Sequence, residues 1–344
     1  MMTPRVLRLS GRSTRTVVAV TLASMTVAGL AGCSSDKKAA APRTSTTTTS
    51  ASPSPSPTPA MTGNPLTGVG APPAGPVVAV KIDDTAASRP SVALDKADVI
   101  YIELAEGGVS RMVAVFATHK PVVGSVRSVR ASDSELLWQY GRIALVASGG
   151  GGDALPTLDH SPLHSVINDR GGPGFSRSRS HPAPYNLLSN LGDVSAKVKA
   201  DGVRNVGFTF AATDPRLASA PAVSGPKTVV GSTPVSFVWD GKTYVRTVGG
   251  QRLHAADGAP IAKPNVLVQY CNITENRGDV DVLGNPSQFT HSIGSGKVVL
   301  YRNGKQITGR WSRPSAGAAT TFTDAAGKPL TFAPGGLFVA LVRA

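Results

Sequence analysis

The sequence predicts an α+β protein in two parts. A layered β-sheet and helix domain spans residues 74–225, and a mainly β domain spans residues 226–344. Three observations predict this. Short β-branched runs recur from Val77 onward. Helix-like stretches interrupt them without strict alternation, unlike a doubly wound sheet. Beyond Pro226 the helical stretches give way to strand–turn–strand patterns with Asp-Gly and Asn-Gly at the turns.

The first part opens on Val77–Ile82, an apolar run that reads as a buried strand. Val99–Leu104 is β-branched and partly alternating, and Arg111–Ala117 follows it after Gly107-Gly108, which predicts a hairpin. Ser132–Tyr140 reads as a helix, with Ser132 as N-cap and Glu135 three residues on as a capping box. Ile143–Ala147 is a further strand that ends in Gly149-Gly150-Gly151-Gly152, taken as a flexible turn. Asp153 is placed to cap a short helix through Leu158, and Asn186–Asp193 reads as another helix. Ala218–Lys227, with Pro221 and Pro226, reads as the link between the parts. Past it, Val235–Trp239, Thr243–Val248, Val266–Tyr270, Val298–Tyr301, Gln306–Trp311 and Leu337–Val342 read as strands.

The segment before the folded part has its own grammar. Arg5, Arg8, Arg12 and Arg15 precede an apolar run from Val17 to Leu30, and Ala31-Gly32 lead to Cys33. The run of roughly 15 residues suits a signal peptide and falls short of the ~20 that a spanning helix needs. Charge, short apolar run, small residues and then Cys make residues 1–32 a lipoprotein signal peptide, with Cys33 the lipidated residue of the mature chain. Each buried CH₂ adds about 0.8 kcal/mol, so more than one acyl chain anchors durably. The expected location is therefore the extracytoplasmic face of the cell membrane, held through the N-terminal lipid. Residues 33–73 are rich in Ser, Thr and Pro and are expected to be a disordered linker. About 40 residues of such coil span roughly 35 Å. With Cys33 acylated, Cys271 stands alone and is read as a small buried hydrophobe.

The net charge of +14 raises the question of nucleic acid. Four of the positive charges lie in the signal peptide. Residues 74–225 carry 15 basic and 14 acidic side chains, and residues 226–344 carry 13 and 6. No basic run is long and aromatics are few, so no nucleic-acid partner is expected. A basic extracytoplasmic domain suits an anionic cell-wall polymer or an envelope protein with an acidic face.

Charged residues gather at the predicted strand ends of the first part. Lys81-Ile82-Asp83-Asp84 is followed by Arg89-Pro90, Ala97-Asp98-Val99, Tyr101 and Glu103. Then come Glu106-Gly107-Gly108-Val109-Ser110-Arg111, Gly124-Ser125-Val126-Arg127-Ser128-Val129-Arg130 and Arg177-Ser178-Arg179-Ser180-His181-Pro182. The second part adds Asn265–Gln269, Gly294-Ser295-Gly296-Lys297 and Gly309-Arg310-Trp311. This order resembles the YerB-like lipoprotein family, two-domain bacterial envelope lipoproteins of unknown function, over nearly all of the chain past the linker. Asp84 stands where that family more often has Asn, and Ser125 where it often has Pro. The resemblance implies a layered α+β first domain and no particular reaction.

The candidate ligand-binding residues are Arg111, Arg127, Arg130, Arg179, Asp83, Glu103, Glu106 and His181. Arginine's planar fork suits bidentate contact with phosphate or carboxylate. The competing expectation is a structural network in which these arginines pair with Asp83, Glu103, Glu106 and Asp133. A hydrolase or transferase acting on wall phosphodiester or glycan would draw on the same carboxylates, with His181 as acid or base. No G-x-S-x-G, H-E-x-x-H or phosphate-loop motif supports it, and catalytic residues stay unassigned. A scaffold or regulatory lipoprotein is the third reading. No cofactor is expected. No metal site is expected either, since Pro162 breaks the spacing of His160 and His164.

Overall fold

The computed structural model describes residues 63–281 and 284–344. Cys33, the signal peptide and most of the linker lie outside the described residues. Order begins before residue 74, where the linker was expected to end. Leu66 is fully buried, and Asn64 closes a tight turn by accepting the Leu66 N–H on its Oδ1 at 2.9 Å. An apolar side chain within a polar stretch was enough to dock that turn.

Ten strands form the largest sheet and are numbered here in chain order. They are β1 (Val78–Asp83), β2 (Val99–Leu104), β3 (Ser110–Phe116), β4 (Ala144–Ala147), β5 (His164–Ile167), β6 (Asn265–Cys271), β7 (Gly294–Arg302), β8 (Lys305–Arg313), β9 (Thr321–Thr323) and β10 (Leu337–Arg343). Their spatial order is β9-β8-β7-β6-β10-β2-β3-β1-β4-β5. The 74–225 segment thus supplies one half of the sheet and the 226–344 segment the other. Strand β10 joins them, running parallel to β6 on one side and to β2 on the other. One continuous buried apolar cluster runs through both segments, so neither keeps a core of its own. Central strands β1, β2 and β3 are buried along their whole length, which is why they read as unbroken apolar runs.

Three short helices flank this sheet: α1 (Ala131–Leu137), α2 (Ala154–Asp159) and α3 (Leu191–Lys197). Helix α1 starts one residue earlier than its expected cap. Asp133 accepts the Arg130 N–H at 2.7 Å, while Glu135 reaches away to the backbone of Ser292 and Ile293. The expected helix over Asn186–Asp193 is instead a strand, Leu187–Asn190, followed by α3. Asn190 makes the switch by accepting the N–H groups of Gly192 and Asp193 on its side chain.

A second sheet contains Lys227–Val230, Thr233–Trp239, Tyr244–Val248, Gln251–Arg252 and Ala262–Lys263. It carries the predicted Asp240-Gly241 hairpin, with Trp239 opposite Tyr244. Phe237 of this sheet lies 4.9 Å, centroid to centroid, from Phe338 of β10. The Asn303-Gly304 turn joins β7 to β8, and both of its residues take positive φ, as a tight hairpin turn requires. No helix of the described residues is long and apolar enough to cross a membrane.

Candidate functional site

Strand pairing explains why charge is buried in this sheet. Asp83 of β1 stands opposite Arg111 of β3, and Arg111 stands opposite Glu103 of β2. Lys81 lies two residues before Asp83 and therefore points to the same face. Helix α1 lays Asp133 over that face. The Lys81 ammonium is fully buried and donates to Glu103 and to Asp133, the latter at 2.8 Å. Burial pushes Lys81 down to about 8 while Asp133 opposes the change. Sequence reading missed Lys81 as a member because it sits inside an apolar run. The sign available was the lone cation within Val78–Ile82.

Glu106 is the second focus. It follows β2 in the turn before β3, and it receives both Arg111 and Arg130. Arg111 Nη2 donates to its Oε1 at 2.5 Å, and Arg130 Nε donates to its Oε2 at 2.7 Å. Arg130 Nη2 also donates to Oε1. Burial by itself would raise the Glu106 carboxyl, but the Arg130 hydrogen bonds and the two guanidinium charges hold it down at about 2. Burial and the neighbouring Arg130 push Arg111 down to about 10. Asp279, from the other segment, is buried with Oδ2 at 3.7 Å from Arg130 Nε. Burial raises this carboxyl. Asp279 could not be linked to Arg130 from sequence, since the two are brought together only by tertiary packing.

The Gly149–Gly152 run permits that packing. Gly152 takes φ +43, and the Asp153 N–H donates to the Gly278 carbonyl at 3.2 Å. A Cβ on Gly152 would lie 1.9 Å from that carbonyl oxygen, and one on Gly151 would lie 2.5 Å from Asp279 Oδ1. The run is a close backbone contact rather than the flexible turn expected of it.

The remaining predicted residues lie apart from Glu106. Arg127 pairs with Asp83 at 3.0 Å, and its guanidinium sits over the Tyr185 ring, 5.2 Å from the centroid. Asp83 also accepts the N–H and hydroxyl of Thr85. His181 Nε2 lies 3.1 Å from the Arg89 carbonyl oxygen. Arg177 and Arg179 are exposed, and Arg177 Nη1 donates to Asn186 Oδ1 at 2.8 Å. The eight candidates therefore divide. Glu103 with Lys81, and Glu106 with Arg111 and Arg130, form buried pairs. Asp83 is buried and pairs with Arg127, while Arg127, Arg179 and His181 border solvent. Arg111 and Arg130 with Glu106, and Arg127 with Asp83, are pairs of the kind the competing network expects, whereas Glu103 and Asp133 pair with Lys81 and not with an arginine.

The C-terminal segment repeats the lesson. Four of its 13 cations are buried: Arg246, Arg302, Arg313 and Lys263. Arg246 Nη2 donates to Asp84 at 2.5 Å. Arg302 caps the carbonyls of Thr331, Ala211 and Ala212, Arg313 those of Glu135 and Ala316, and Lys263 those of Asp95 and Ala97. Part of the formal charge thus serves the fold and is not offered to a partner. Cys271 is 1 % exposed, and burial pushes its thiol up to about 12. It is expected to resist iodoacetamide at pH 8 in native buffer and to react only after unfolding. Labelling of the folded protein at the rate of a free thiol would contradict its burial.

Residues 61–204 match the family model described as "Protein of unknown function (DUF3048) N-terminal domain", and residues 227–339 match the corresponding C-terminal domain. The chain is 24% identical over 280 residues to the Bacillus subtilis (strain 168) protein named "Putative lipoprotein YerB", covering 77% of this chain and 80% of that protein. The crystal structure of YerB superposes with a TM-score of 0.67 at 22% identity, covering 81% of this chain and 96% of that one.

Proposed function

The chain belongs to the DUF3048 family, and from that premise we propose that it is a protein anchored by lipid to the extracytoplasmic face of the cell membrane, where it binds an anionic wall polymer. The anchor rests on the order of charge, apolar run, small residues and Cys33, and on the lipoprotein name of its relative. Replacing Cys33 with Ser is expected to move the protein from the membrane to the soluble fraction of cells. Retention of that variant in washed membranes would remove the lipid from the proposal.

One observation carries the ligand. Residues 171–192 hold Arg177 and Arg179 and no acid, and the loop that follows Arg177 brings Tyr185 over Arg127. Exposed guanidinium groups on an acid-free loop favour phosphate or carboxylate oxygens. The buried arginines do not serve this purpose, because Glu106 already occupies them. The test uses the full chain in phospholipid nanodiscs, with poly(glycerol phosphate) and polygalacturonate as separate probes. The double variant Arg177→Ala, Arg179→Ala is expected to lose about tenfold in affinity or more with its melting temperature unchanged. Binding should also weaken as salt rises. Equal binding by the double variant and the parent protein would overturn the reading.

A further inference from the structure

A groove of about 630 Å³ opens between α1 and α2. Ala131, Ser134, Glu135 and Trp138 line one wall at the spacing i, i+3, i+4, i+7, so one helical face presents them together. Pro156 and His160 come from α2 and the turn it ends in, and Phe289 closes the side.

Four features distinguish this groove from a packing defect. Trp138 is 39% exposed, whereas Trp311 is 2% exposed. A large aromatic left facing solvent in a concave site is a platform waiting for a flat partner. Glu135 is fixed: its Oε1 accepts from Ser292 N (2.6 Å), Ser292 Oγ (3.0 Å) and Ile293 N (3.0 Å). That leaves Oε2 as an acceptor held in place. Ser134 is 3% exposed, and its buried hydroxyl has no hydrogen-bond partner. His160 adds a ring whose Nδ1 sits 2.7 Å from the Pro156 carbonyl. A carbonyl only accepts, so Nδ1 carries the proton and Nε2 of the neutral ring is left as an acceptor.

We infer that this groove binds a neutral glycan, with a sugar ring stacked on the Trp138 indole and its hydroxyl groups directed to Glu135, Ser134 and His160. A pyranose ring offers one face of C–H groups and a rim of hydroxyls, which matches an indole face bordered by fixed polar groups. An acyl chain would match the indole but leave the Glu135 oxygen and the Ser134 hydroxyl covered and unpaired. An anionic ligand would meet the Glu135 carboxylate. The site is separate from the arginine loop and does not depend on it.

The test titrates the full chain in nanodiscs with a β-1,4-linked oligomer of N-acetylglucosamine. Tryptophan fluorescence and calorimetry are the readouts, and Trp138 is one of three tryptophans. A saturable fluorescence change is expected. Trp138→Ala should raise the Kd at least about tenfold, and Trp138→Phe should raise it less because a ring remains. Glu135→Gln, which keeps an acceptor for Ser292, separates ligand contact from support of the fold. Arg177→Ala with Arg179→Ala should leave glycan binding unchanged, so failure here and failure of the polymer reading are told apart. If Trp138→Ala does not fold, His160→Ala at an exposed position is read in its place. Three results overturn the inference: no saturable response to the oligomer, unaltered affinity in both Trp138→Ala and His160→Ala, or displacement of the glycan by dodecanoate.

Discussion

Glu106→Ala is expected to lower the unfolding free energy by about 3–5 kcal/mol, the cost of removing one partner from a buried ion pair. Glu106 is the shared acceptor of Arg111 and Arg130, so its loss leaves two buried guanidinium groups facing each other. Asp279, at 3.7 Å from Arg130 Nε, and Asp83, across the strand pair from Arg111, remain as the nearby counter-charges. Glu106→Gln keeps acceptor geometry and should cost less, which separates lost charge from lost shape. The same carboxyl sets an acid limb. Its folded pKa of about 2 lies below the ordinary value, so the unfolded chain takes up the proton first as pH falls. The stabilisation is therefore complete above the unfolded pKa of about 4.3 and disappears as pH drops toward 2. Urea melts from pH 7 to pH 2 should show this limb in the parent protein and a shallower one in Glu106→Ala. A variant as stable as the parent would mean that the arginines do not need Glu106.

Gly152→Ala is the second large effect. The left-handed backbone alone costs an L-residue about 1–3 kcal/mol. The new methyl also overlaps the Gly278 carbonyl, so the strand Ile273–Val280 must shift. That shift would draw Asp279 away from Arg130. Gly171→Ala is the control, since Gly171 takes φ +72 with no atom near its Cβ position. It should show the backbone cost without the overlap. Urea midpoints of the two variants would measure the difference, and equal midpoints would show that the close contact carries no energy.

Strands were legible where side-chain pattern and turn chemistry agree. The hairpin after Gly107-Gly108, the Asp240-Gly241 and Asn303-Gly304 turns and the β10 run appear near where the pattern put them. Leu187–Asn190 was misread because a short apolar run fits either element, and only the Asn190 cap marks the change. The charged residues were legible as a set but not as pairs. Glu103 pairs with Lys81 across an intervening strand, and Arg130 meets Asp279 from a distant segment. Neither relation has a local signature. Buried cations such as Arg302 and Lys263 were unreadable for the same reason, since their partners are backbone carbonyls fixed by tertiary packing.

The strand farthest along the chain, β10, lies at the middle of the great sheet. During synthesis, every other strand of this sheet has emerged before the one that stitches them together. Until β10 arrives, β2 and β6 each present a bare apolar edge to their surroundings. The joining of the two halves of the sheet therefore waits on the last of its strands.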